Sequence, residues 1–358
     1  MHEYHTFSCI APAMKKPIYA SLLGAGDGDA IFSNEETSNR DFVNDPYIAL
    51  RSRLGSYGIE LHTADQFRRA KPSIEIHLNA VQQEEALAIR RYLIAAECRE
   101  IWPANFNSEV IKRYRKVFTW SDDLIGREPF VKFQFGHRFF VPQISGFENR
   151  PRLCCLIAGN KALTEATSAD LYQERVRIIR WFERHAPSEF DLYGTGWNAP
   201  PKRTGVVWSR VHRACCVLFS QKSRFFFPSY QGRVDSKNKT YARYKFAICY
   251  ENVGGSEGYI TEKIFDAFFA GCVPVYLGAP NVTTYIPANC FLDRRNFGGH
   301  EDLYQFMKHM KESEYLRHQQ AIVDFLTSEQ AERFTIDAFA STIADAIIDD
   351  LRGLGVAF

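Results

Sequence analysis

The sequence has almost no charge bias: 44 lysines and arginines face 42 aspartates and glutamates, a formal net charge of +2. Nucleic acid as a main partner calls for a strong basic excess or a concentrated basic stripe, and neither is present. Any apolar run of signal-peptide or membrane-spanning length is also missing; the opening MHEYHTFSCIAPAMKK is mixed and polar. The nine cysteines form no CxxC pair and no His-Cys ligand set, so zinc is not expected. The adjacent pairs Cys154-Cys155 and Cys215-Cys216, with Cys249, Cys272 and Cys290 in apolar segments, fit buried thiols in a reducing compartment. There is no internal repeat and no low-complexity segment. What remains is an ordinary globular composition, 46% hydrophobic, in a chain long enough for about two domains.

The most organised stretch runs from Tyr244 to Asp293. Lys245 to Glu251 reads as a buried strand, and a loop with Gly254, Gly255 and Gly258 follows. Thr261 stands at a helix N-cap, ahead of Ile264, Phe265, Phe268 and Phe269 on one helical face; Gly271 ends the helix, and Val273 to Leu277 is the next strand. This is a strand-loop-helix-strand unit of a parallel α/β sheet, whose ligands bind at the carboxyl ends of the strands. A helix N-terminus suits an anion such as a diphosphate. Lys263 adds a positive charge in the first turn, where it is unfavourable for the helix itself. Glu262 is placed to accept ribose hydroxyls and Tyr259 to cover a base or phosphate. The plainer reading makes Glu262 a first-turn carboxylate and Lys263 a solvated side chain.

Elsewhere, Pro17 to Leu23 and Ile74 to Leu78 read as strands and Asp45 to Leu54 as a helix. LGAGDGDAIF has Gly24, Gly26 and Gly28 in the wrong spacing for GxGxxG and reads as a turn. Glu84 to Leu93 reads as helix, or helix passing into strand, and delivers the chain to Glu97. The basic clusters Arg68, Arg69, Lys71 and Lys112, Arg113, Arg115, Lys116 are either solvated helix faces or a means of attraction to an anionic membrane. Phe130 to Pro142, rich in aromatics, is either a platform for sugar rings or core. Gln143 to Arg152 is the best linker. Leu153 to Ala158 restarts a strand, ended by Gly159, Asn160 and Lys161, and Leu171 to Arg184 is a helix. Leu303, Phe306, Met307 and Met310, then Phe339, Ile343 and Ile347, recur at helical spacing.

KFAICYEN, the glycine loop, GYITEKIFDAFFAGCVPVYLG and the proline-bearing segment after it resemble the signature of the α1,3-fucosyltransferases, glycosyltransferase family ten, and its bacterial members most. The resemblance implies an α/β GT-B fold, two Rossmann-like domains facing a central cleft: residues 1–146 for the acceptor and 147–358 for GDP-fucose, with the last helix free to cross back onto the first domain. Tyr114 to Asp123 resembles the strand that closes the first domain. The implied reaction is inverting transfer of L-fucose from GDP-fucose to a hydroxyl of an acceptor glycan, N-acetylglucosamine in a lactosamine-like unit or a surface-polysaccharide sugar, in α1,3 or α1,4 linkage.

The same resemblance assigns Glu97 as general base, with Glu100 as rival. It assigns the donor site to Arg175, with Arg177 as rival, and to Lys237, Asn252, Tyr259, Thr261, Glu262 and Lys263. No metal is required by this scheme. No DxD stands in a family-like position; a stimulatory Mn²⁺ or Mg²⁺ stays open, as do the contacts of Gly254 to Glu257. The implied protein is cytoplasmic, with peripheral membrane contact and a lipid-linked glycan acceptor left open. The alternatives are a transferase for another GDP-sugar, such as GDP-mannose, and a catalytically silent module that binds nucleotide or glycan.

Overall fold

Two parallel sheets organise the computed structural model, which describes residues 17–35, 37, 39–67, 71–81, 90–165, 167–199, 201–203, 227–356 and 358. The first sheet has the order β2-β1-β3-β4-β5-β6 and is built from β1 (Ile18–Leu23), β2 (Ile59–Thr63), β3 (Ile74–Leu78), β4 (Arg90–Ala95), β5 (Lys116–Thr119) and β6 (Phe130–Lys132). The second has the order β13-β12-β11-β7-β9, from β7 (Arg152–Ile157), β9 (Phe190–Tyr193), β11 (Tyr244–Tyr250), β12 (Val273–Leu277) and β13 (Leu292–Asp293). Beside it, the two-residue strands β8 (Lys161–Ala162) and β10 (Lys202–Arg203) pair with each other.

The strands read as apolar runs because helices cover both faces of such sheets. Tyr92, Leu93 and Ile94 of β4 are all inaccessible to solvent, as are Tyr244, Phe246 and Ala247 of β11. Register follows from this burial: Phe246 pairs with Val273 on one side and Cys154 on the other. The helix Glu262–Phe269 stops where expected. Gly271, at φ 62°, lets its N–H reach the Phe268 carbonyl and the Cys272 N–H reach that of Ala267, closing a Schellman turn that returns the chain into β12.

Two expectations change. Tyr114 to Asp123 does contain β5, but the sheet ends on β6, outside it. A three-residue strand whose residues are all half-buried carries too little pattern to be seen in sequence. The aromatic segment divides: Phe133 is core, while Phe140 is 40% exposed. Of the segment Glu84 to Leu93, residues 84–89 lie outside the described part, as do Arg68, Arg69, Cys215, Cys216 and residues 1–16, and Arg90 to Leu93 belong to β4. Cys98, Cys154, Cys155, Cys249, Cys272 and Cys290 are free and buried. No helix among the described residues is long and apolar enough to cross a membrane.

The last helix, Ile336–Gly353, packs on the first sheet. Phe339, Ile343, Ile347 and Leu351, four residues apart, join the core formed by β1 to β5. Arg53 grips Asp345 through two hydrogen bonds, at 2.9 and 2.8 Å. The two sheets meet where Trp120, just past β5, packs on Tyr259 of the glycine loop. Beside this contact, Asp122 accepts hydrogen bonds from Lys132 (2.5 Å), Asn281 (2.8 Å) and Tyr285 (2.5 Å), and Asn281 in turn accepts from the Gly258 N–H. Gly258 sits at φ 81°, and a Cβ there would lie 2.3 Å from the Trp120 carbonyl oxygen. Only glycine meets both conditions.

Candidate active site

One cavity of about 340 Å³ opens between the sheets, at the carboxyl ends of β4, β7 and β11. Glu97, Arg175, Lys237, Asn252, Tyr259, Thr261, Glu262 and Lys263 all line it. The walls also include Arg40, Lys161 and Arg233, so six basic side chains face three acidic ones, Glu97, Glu262 and Asp266. That excess of positive charge, in a recess at the end of a parallel sheet, suits a diphosphate.

Glu97 follows β4 in a turn held from both sides. Its N–H donates to Asn79 Oδ1 at 2.9 Å, and its carbonyl accepts from Asn105 Nδ2 at 3.0 Å. Next to it, the Ala96 carbonyl accepts from the Trp120 indole N–H at 3.0 Å. Burial pushes the Glu97 carboxyl above the usual range, against the opposing pull of Lys161 and Lys263. Such a carboxylate is more basic than a solvated one. Glu100 is not on the cavity wall.

Arg175 is 4% exposed and reaches the cavity from the helix Leu171–His185. It donates twice to the Tyr250 carbonyl at the end of β11, at 3.1 and 2.6 Å, and to Asn252 Oδ1 at 3.1 Å. Arg177 is exposed and pairs with Glu174 at 3.0 Å. Lys237 Nζ donates to Asp266 at 2.7 Å. Burial drives the Asp266 carboxyl up to about 6 even beside that lysine, with Glu262 adding to the rise. Burial also disfavours the charge of Glu262, but Lys263 and Lys237 outweigh it and hold its carboxyl well below the usual range.

The helix N-terminus differs from expectation. Thr261 is the N-cap residue by position, yet its hydroxyl makes no cap hydrogen bond and donates instead to Glu251 Oε2 at 2.7 Å. Glu251, fully buried at the end of β11, also accepts from the Thr261 N–H at 2.8 Å and from Lys263 Nζ at 3.0 Å. Burial alone would lower the Lys263 ammonium; Glu251 and Glu262 raise it. The charge that is unfavourable in the first helical turn is therefore held by a buried carboxylate twelve residues upstream, as well as facing the cavity. The Tyr259 ring is 2% exposed and packs on Trp120 with centroids 4.6 Å apart, where it forms part of the cavity wall.

Gly254 to Glu257 turn toward neighbouring structure. The Gly254 N–H donates to the Ala169 carbonyl, the Glu257 carbonyl accepts from Asp122, and the Glu257 side chain is exposed, away from the cavity. Sequence reasoning missed Glu251 and left Lys161 without a role. The available signal was position, since Glu251 directly follows β11 and Lys161 stands four residues past the carboxyl end of β7. Arg40 comes from the first half of the chain with no local pattern to mark it. Among the described residues no three His, Cys, Asp or Glu side chains are grouped to hold a metal ion.

Two facing parallel α/β units with a cavity at their strand ends define a GT-B glycosyltransferase fold. Solved structures agree at the level of fold. An α1,3-fucosyltransferase crystallised with GDP superposes with a TM-score of 0.54 at 15% identity over 96% of this chain and 94% of that one. A sucrose-phosphate synthase from Thermosynechococcus elongatus gives 0.56 at 9% identity over 94% and 100%. The family comparison is narrower: residues 167–334 match the model of glycosyltransferase family 10 (fucosyltransferase) C-term.

Among curated relatives, an α1,3-fucosyltransferase of Helicobacter pylori is 33% identical over 93 residues, 26% of this chain and 18% of the relative. α1,3-Fucosyltransferase 7 of Homo sapiens is 41% identical over 81 residues, 22% and 23% of the two chains. These matches span about a fifth of each relative's length. Their spread over bacterial and animal proteins does not single out the bacterial type.

Proposed function

We propose that this protein transfers L-fucose from GDP-fucose to a hydroxyl of an acceptor glycan with inversion at the anomeric carbon. In this reading Glu97 takes the acceptor proton as its oxygen attacks. Arg175, Lys263 and the start of the helix Glu262–Phe269 balance the charge that builds on the departing GDP. Lys161 and Lys237 add to the positive field, Asn252 and Thr261 contribute polar contacts, and Glu262 accepts from the donor's hydroxyls. Residues 1–146 serve the acceptor and 147–358 the donor. The acceptor sugar is of N-acetylglucosamine or surface-polysaccharide type, and the linkage α1,3 or α1,4.

The observation that supports the reading is the convergence of a partly buried carboxylate with six cationic side chains on one cavity, together with the match to the family-ten fucosyltransferase model. The test is acceptor-dependent release of GDP from GDP-fucose over a panel including lactosamine and lactose, for wild type and Glu97→Ala. The expected outcome is turnover in the wild type, a loss of roughly 10²–10⁴ in the variant, and donor binding retained in both. Absence of GDP-fucose binding would overturn the assignment of the donor site.

A further inference from the structure

A second cavity of about 520 Å³ adjoins the first and shares Phe135, Lys237, Glu262 and Asp266 with it. Its character is different. Phe42, Tyr47, Phe135, Phe140, Phe269 and Phe339 supply six aromatic rings to its walls. The polar groups there are mostly engaged with one another. Lys237 is paired with Asp266 at 2.7 Å, the Asp41 carboxylate accepts from the Lys237 N–H at 3.2 Å, and Arg138 is paired with Asp45 at 2.6 Å. His137 lies flat on Phe265 with centroids 4.5 Å apart, and its buried Nε2 has no hydrogen-bond partner among the described residues. A sugar ring brings many hydroxyls that need partners; against six rings, the buried groups this wall leaves without a hydrogen-bond partner among the described residues are His137 Nε2 and Asp41 Oδ2, with Asn238 and Lys239 beside them.

The lip shows that the apolar surface is built. Asp41 and Phe42 are consecutive non-glycine residues in the left-handed region, at φ 55° and 63°, a conformation that costs free energy and persists where surrounding structure imposes it. It holds the Phe42 ring 41% exposed, 5.4 Å from the ring of Phe140, itself 40% exposed. Val43, Val141 and Ile144 extend exposed apolar surface outward from these two rings along the chain. The cavity also opens beside the cleft that Glu97 lines, across the shared wall of Phe135, Lys237, Glu262 and Asp266.

We infer that this aromatic cavity holds an apolar aglycone, a hydrocarbon chain joined to the acceptor sugar, while the sugar itself reaches Glu97. The inference rests on the transferase reading for the direction of the sugar, but the cavity's preference for hydrocarbon can be measured without turnover. Its volume falls in the range of small-molecule sites, and each buried methylene strengthens binding roughly fourfold.

The experiment is calorimetric binding of n-octyl β-D-glucopyranoside below its micelle concentration against methyl β-D-glucopyranoside. It is run with saturating GDP on the wild type and on the Phe42→Ser/Phe140→Ser variant, whose exposed positions leave the core intact. The expected result is one site that favours the octyl glycoside by at least about tenfold, a gap reduced below about threefold in the variant, and equal GDP affinity in both proteins. Equal binding of the two glycosides overturns the inference. So does a gap that survives in the variant, or competition between octyl glycoside and GDP. Failure of GDP to bind strikes the donor assignment instead, and the octyl arm still reports on the cavity.

Discussion

Trp120 joins the two halves of the site: its indole N–H donates to the carbonyl of Ala96, the residue before Glu97, while its ring packs on Tyr259 of the glycine loop. The candidate base and the candidate donor loop thus share one rigid side chain. Trp120→Phe keeps the ring contact and loses the N–H. It is expected to cost about 1 kcal/mol of stability and to lower kcat by tenfold to about a hundredfold through misplacement of Glu97, with the KM for GDP-fucose little changed. A thermal melt and initial-rate kinetics check this; an unchanged kcat would make Trp120 purely structural.

Glu97 is expected to set the acid limb of the pH–rate profile. Because burial raises its carboxyl pKa and Lys161 opposes that rise, the rate should fall with decreasing pH at values above the ordinary glutamate range. A base works only when deprotonated, so Lys161→Met, which removes a charge favouring the carboxylate, should move the limb to higher pH. A shift to lower pH would show that Lys161 acts on some other group.

Glu251→Gln leaves Lys263 without its buried anionic partner. Breaking such a pair costs on the order of 3–5 kcal/mol, partly recovered here because Lys263 also faces the cavity. The variant should melt well below the wild type, and saturating GDP should raise its melting temperature by more than it raises that of the wild type. Equal GDP-induced increments would show that Lys263 does not meet the diphosphate.

Asp122 ties the first sheet to the glycine loop, and its three hydrogen bonds outweigh burial to hold its carboxyl below the usual range. A depressed folded-state pKa contributes stability above the unfolded value of about 3.9, and that contribution is lost as pH falls through the lower folded value. Asp122→Asn should therefore destabilise the fold at pH 7 by about 1–2 kcal/mol once solvent screening is allowed for, lowering the melting temperature there and flattening its decline in acid. Melting curves from pH 7 to 3 for both proteins measure this, and parallel declines would exclude Asp122 as the titrating group.

Gly258→Ala places a methyl group against the Trp120 carbonyl and forces an L-residue to φ 81°. A loss of roughly 2 kcal/mol or more is expected, together with a larger radius of gyration by small-angle scattering if the sheets part. A compact, equally stable variant would show that the loop can move without cost.

By itself the sequence determined what depends on neighbours along the chain. The unit from Lys245 to Leu277, its stop at Gly271, the unfavourable Lys263 and the spacing of Phe339, Ile343 and Ile347 all rest on local periodicity and backbone geometry, and so were legible. Which side chains meet across the cleft was decided only by the tertiary structure. Trp120 reaches Ala96 and Tyr259, Lys161 faces Glu97, and Phe42 meets Phe140, because strand order and the docking of two sheets bring together residues up to about a hundred and forty positions apart. No window of sequence contains those pairs, since contact between sheets is set by packing and not by spacing along the chain.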